Sequence, residues 1–100
     1  MFDLMEYRQL YQKTIDRWGV EAQHDQAIEE CAELITTLQH YRRQRVDEDH
    51  VADELADVFL MLGQLIHMFG EARVKAAVDR KLSKLNSLLS SSPHSETDGS

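Results

Sequence analysis

One hundred residues with a mass of 11.6 kDa make a single small domain, and a chain of this size buries only about 60–68% of its unfolded surface, so a subunit interface would enlarge its core. Lys and Arg number 11 against 18 Asp and Glu, a net charge of −7, which excludes a general nucleic-acid-binding face because counterion release needs clustered positive charge. The single cysteine, Cys31, excludes an internal disulfide, and the longest apolar run, residues 58–62, is far short of a membrane span.

Glycine occurs only at positions 19, 63, 70 and 99, and Pro93 is the single proline. So few breakers, with little alternation of polar and apolar residues, predict an all-α chain. The first helix is expected over about residues 4–17. Asp3 with Glu6 has the spacing of a capping box, Leu4, Tyr7, Tyr11, Ile15 and Trp18 recur at helical spacing, and Gly19 stops the run. The second is expected over about 22–44, with Ala27, Cys31, Leu34, Leu38 and Tyr41 as its stripe and Arg42, Arg43 and Arg45 favouring its C-terminal end. The third is expected over about 48–69, capped by Asp47 and ended by Gly70. Its apolar arc holds Val51, Leu55, Val58, Phe59, Leu62, Leu65, Ile66 and Phe69. The fourth is expected over about 71–89, with Val74, Ala77, Val78, Leu82, Leu85 and Leu89 inward. Residues 1–89 thus form the domain, arranged as a small helical bundle. Residues 90–100, rich in Ser, have the composition of a disordered tail. The opening residues carry no basic segment of a signal peptide, which makes the cytoplasm the expected compartment.

Two acidic pairs stand out. Glu30 and Glu33 are neighbours on one face of the second helix, and Glu54 and Asp57 repeat the arrangement on the third. Each pair flanks a core-facing stripe: Glu30 lies about 60° from Ala27, and Asp57 about 60° from Glu54 on the side away from the apolar arc. In an antiparallel hairpin the two pairs can meet. Four facing carboxylates raise one another's pKa values, so a cation is expected between them. Oxygen-only ligands suit Mg²⁺ or Mn²⁺ better than Zn²⁺ or copper. A single Glu-x-x-Glu is usually a solvated acidic face, but two pairs on adjacent helices, both abutting apolar stripes, favour the metal.

The pattern Glu29-Glu30-Cys31-Ala32-Glu33 followed after twenty residues by Glu54-Leu55-Ala56-Asp57 resembles the signature of the MazG-like all-α nucleoside triphosphate pyrophosphohydrolases. Trp18-Gly19 ahead of the second helix and the Lys81-x-x-Lys84-x-Asn86 run fit the same family, and the likeness covers roughly residues 5–88. The resemblance implies a four-helix, bundle-like fold whose hairpins are completed by dimerisation, as a dimer or dimer of dimers. It implies hydrolysis of a (deoxy)nucleoside triphosphate to monophosphate and pyrophosphate in nucleotide house-cleaning, with Mg²⁺ on Glu30, Glu33, Glu54 and Asp57. Such chemistry is consistent with acidic ligands holding a cation against phosphate oxygens. Glu29 is spare in the motif and either handles the water proton or is a plain surface residue.

Other residues divide between a functional and a structural role. Residues 71–89 carry five basic against two acidic side chains, and Lys81 falls inside the apolar stripe, where it either snorkels or meets a phosphate. Lys84 and Asn86 are weaker substrate contacts. Trp18 either stacks on a base or packs in an interface, and Gln23 and Gln26 share the acidic edge, as base readers or as boundary residues. The histidines at 24, 40, 50, 67 and 94 have no metal-site spacing. A di-iron bundle would need two Glu-x-x-His motifs level with the acidic pairs, and only Glu21 with His24 has that form. The main alternative is a non-catalytic helical dimerisation or interaction module. Neither nucleic acid nor a membrane is an expected partner.

Overall fold

The computed structural model describes residues 3–91. A 3₁₀ turn at Leu4–Tyr7 leads into four helices: α1 Arg8–Trp18, α2 Val20–Arg42, α3 Glu48–Phe69 and α4 Glu71–Ser90. There is no strand among the described residues, so the chain is all-α. They divide into two compact units, residues 3–69 and residues 70–91. No single described helix is long and apolar enough to cross a membrane. The expected tail lies outside the described residues apart from Ser90, which ends α4, and Ser91.

The first helical segment begins differently from expectation. Asp3 caps it, but its carboxylate accepts from Met5 N at 3.0 Å, while Glu6 N donates to Asp3 O at 3.2 Å. That i to i+3 bond is the tighter 3₁₀ pitch. The Tyr11 hydroxyl donates to Leu4 O at 2.6 Å, so a tertiary contact satisfies a carbonyl of this first turn.

Gly19 joins α1 to α2 at φ 95° and ψ 154°, a region essentially confined to glycine. Its N–H closes α1 on Ile15 O at 2.8 Å, and its carbonyl opens α2 by accepting from Gln23 N at 3.2 Å. Helix α2 ends in a Schellman motif: Gln44 N donates to Tyr41 O at 2.9 Å and Arg45 N to His40 O at 2.9 Å. Gln44 holds the left-handed position at φ 61°, where glycine is the usual residue. Five residues after Arg42, α3 starts under Asp47, whose carboxylate accepts from His50 N at 2.9 Å, as an N-cap does.

The core of the first unit lies among α1, α2 and α3, with α2 and α3 packed as an antiparallel hairpin. Tyr11 on α1, Ala27 on α2, and Val58 and Met61 on α3 are its buried apolar residues. Gly63 lets α1 approach α3: a Cβ there would collide with the Tyr11 ring and hydroxyl. Two polar pairs fasten the same crossing, with the Thr14 hydroxyl 3.1 Å from Gln64 Oε1 and Gln12 Oε1 2.8 Å from His67 Nε2.

Several stripe residues expected inward are exposed. In α4 no residue is buried, and Val78, Leu82, Leu85 and Leu89 are all exposed. This corrects their inward assignment: α4 is a unit of one helix, so its stripe has no partner within that unit. Leu55, Leu62 and Phe69 on α3 and Leu38 and Tyr41 on α2 are exposed too. Trp18, at the end of α1, is 60% exposed.

Candidate metal centre

The hairpin brings the acidic pairs together. Glu30 and Glu33 project from successive turns of α2, and Glu54 from α3. One carboxylate oxygen from each lies within 4.8 Å of the others. Glu30 and Glu54 are half-buried and Glu33 is exposed. Asp57, one turn after Glu54, is exposed and adjoins Glu30, close enough for its charge to raise the Glu30 pKa.

Burial raises the Glu30 pKa first, then the Asp57 charge; Glu33 adds a smaller push in the same direction. The Gln26 amide opposes them by donating to Glu30 Oε1 at 2.8 Å. The other oxygen, Glu30 Oε2, is buried with no hydrogen-bond partner, and so is Glu54 Oε2. A partnerless buried carboxylate oxygen costs free energy, and native structures rarely keep one without an ion or water. Two of them, one on each helix of an all-oxygen donor set, fit a hard divalent cation such as Mg²⁺ or Mn²⁺. The residues present therefore fit the cation that the acidic pattern implied.

The sequence-predicted residues do not all meet at the cluster. Glu30, Glu33 and Glu54 share one cluster, with Asp57 beside Glu30. Gln26 is exposed and its side-chain amide donates to Glu30. Gln23, expected at a polar edge, is buried at 7% exposure, because it lies one turn before the buried Ala27 on the same face of α2. Glu29 is exposed and outside the three-carboxylate cluster. Lys81, Lys84 and Asn86 are exposed on α4, the second unit.

His40 and His50 have no metal-site spacing in the sequence, and Thr36 and Thr37 belong to no motif there. All four line a cleft of about 370 Å³ that also includes Glu33 and Glu54. His50 Nε2 lies 4.0 Å from Glu54 Oε1. The sequence carries the signal: Thr37 follows Glu33 by four residues and His50 precedes Glu54 by four, which places each pair on one helix face.

Neither a curated protein nor a solved structure significantly matches the chain. The MazG nucleotide pyrophosphohydrolase domain matches residues 19–88, a span that contains the three carboxylates of the cluster and Asp57. The chain thus belongs to the MazG nucleotide pyrophosphohydrolase family, enzymes that hydrolyse nucleotide phosphoanhydrides.

Proposed function

We propose that this protein hydrolyses (deoxy)nucleoside triphosphates to the monophosphate and pyrophosphate with Mg²⁺, or Mn²⁺, held by Glu30, Glu33, Glu54 and Asp57. The observation that carries this reading is the pair of partnerless buried oxygens, Glu30 Oε2 on α2 and Glu54 Oε2 on α3, in carboxylates that converge within 4.8 Å in a chain of this family. The cation, when bound, draws charge from the phosphate oxygens and orients the attacking water.

The chain's own residues do the rest. Glu30 and Glu54 are half-buried with one oxygen of each carboxylate out of solvent, and the Gln26 hydrogen bond orients Glu30. Water adds in line to the α-phosphorus, the bond from that phosphorus to the α–β bridging oxygen breaks, and pyrophosphate leaves with that oxygen. Glu29, exposed beside Glu30, accepts the water proton. Trp18 offers an exposed ring for base stacking, while Lys81, Lys84 and Asn86 supply phosphate and base contacts. Gln23, being buried, acts on the substrate only through its neighbours.

A homo-oligomer fits the surface. Leu55, Leu60 and Leu62 on α3, Ile28 and Ile35 on α2, and the α4 leucines are exposed. Exposed apolar side chains on each of these helices support an interface between copies of the chain.

Product analysis tests the proposal. The protein is incubated with each dNTP and NTP, plus dUTP and ITP, in Mg²⁺ or EDTA. Metal-dependent monophosphate and pyrophosphate are expected, with activity at background in Glu30→Gln, Glu33→Gln, Glu54→Gln and Asp57→Asn while helicity is kept. Diphosphate and orthophosphate would overturn the attacked phosphorus. No turnover with no thermal stabilisation by Mg²⁺ would leave the interaction module.

A further inference from the structure

We propose that the cleft between α2 and α3, running from the carboxylates toward the 43–47 turn, seats the diphosphate part of the substrate, the part released as pyrophosphate. This rests on the triphosphate reading above and adds to it the direction in which the phosphate chain lies.

The cleft has two chemically distinct ends. Glu33 and Glu54 form one, shared with the carboxylate cluster. Past them the polar wall is made of Thr36, Thr37, His40 and His50, and every one of these is able to donate a hydrogen bond, an imidazole doing so even when neutral. No other carboxylate lines the cleft, and the nearby Asp47 is engaged in capping His50 N at 2.9 Å. The volume of about 370 Å³ falls within the range of small-molecule sites, roughly 300–1,000 Å³.

The order of groups along α2 suits an extended anion. Thr37 follows Glu33 by about one turn and His40 by about two, the reach of successive phosphoryl groups beyond a cation on the carboxylates. Thr36 already donates to Ala32 O, but at 3.2 Å, and a hydroxyl rotates to a better acceptor.

Positive charge follows the cleft in the chain. In a chain of net charge −7, Arg42, Arg43 and Arg45 are exposed two to five residues after the cleft residue His40. The turn is pinned on a cleft residue: Arg43 N and Arg45 N both donate to His40 O, at 3.1 and 2.9 Å. Arginine is well suited to phosphate because its planar fork donates in pairs. The exposed guanidiniums give a solvent-facing terminal phosphoryl group a counter-charge that the carboxylate end cannot.

The test is calorimetric titration of inorganic pyrophosphate into the full chain at saturating Mg²⁺, alongside the Mg²⁺-induced thermal shift of each variant. His40→Ala, His50→Ala and the double variant Arg43→Ala/Arg45→Ala are each expected to weaken pyrophosphate about tenfold, the loss of one hydrogen bond to a charged group. The Mg²⁺ shift and nucleoside monophosphate affinity stay unchanged, and His50→Gln, which keeps a donor, retains most of the pyrophosphate affinity. Pyrophosphate affinity equal to wild type in all three variants would overturn the assignment. So would a loss shared equally by the monophosphate, or one accompanied by loss of the Mg²⁺ shift. Wild-type protein with no Mg²⁺ shift would sink the parent reading instead, and this one with it.

Discussion

Gln26 Nε2 donates to Glu30 Oε1 at 2.8 Å, while the second oxygen of the same carboxylate is buried without a partner. One helical turn thus orients a carboxylate and leaves half of it free for a cation. Residues that hold a metal ligand by hydrogen bonding matter nearly as much as the ligands. Gln26→Ala is expected to raise the Mg²⁺ concentration for half-maximal thermal stabilisation roughly tenfold, with little change in the metal-free melting temperature. A Mg²⁺ titration by differential scanning fluorimetry checks this. An unchanged midpoint would return Gln26 to the boundary residues.

Glu30 also links stability to pH. Its folded pKa is raised above the ordinary 4.5, by burial first and then by Asp57. The fold therefore penalises the charged form. That penalty is fully present above the raised pKa and fades as the pH falls through it toward 4.5. In EDTA, Glu30→Gln is expected to be more stable than wild type at neutral pH, with the gap closing in acid. Denaturant melts of both proteins across this range test the sign. A gap that widens on acidification would contradict it.

Gly63 and Tyr11 set how closely α1 and α3 approach. Gly63→Ala places a methyl group in the Tyr11 ring, so α1 must shift or the ring must leave its site. Overpacking of this kind costs about 1–3 kcal/mol, more than the usual helix-propensity gain of Ala over Gly. Chemical denaturation is expected to show net destabilisation, and a stabilised Gly63→Ala protein would contradict the packing described.

Gln44 occupies the left-handed position of the α2 Schellman motif at φ 61°. That conformation costs an L-residue about 1–2 kcal/mol, part of which glycine returns as unfolded-state entropy. Gln44→Gly is therefore expected to stabilise the protein by about 0.5–1 kcal/mol. Equilibrium urea melts read this directly, and a destabilised variant would mean that the Gln44 side chain has a role the backbone does not reveal.

The sequence alone determined the helices and the composition of the site. Gly19, Asp47 and Gly70 mark boundaries because caps and left-handed backbone depend on one or two residues, and the ends of α3 agree with expectation. The edge positions of Glu30 and Glu54 were legible because 100° per residue fixes which side chains share a face. Tertiary structure decided what those faces meet. That Glu30, Glu33 and Glu54 converge within 4.8 Å, that Thr37 and His50 share a cleft with them, and that Gln23 is buried all depend on the rotation and spacing of α2 against α3. No rule reaching only four residues along the chain contains those quantities. The α4 stripe shows the same limit from the other side. Its periodicity is that of a core helix, yet Leu82, Leu85 and Leu89 are exposed, because periodicity defines an apolar face and burial is conferred only by what packs against it.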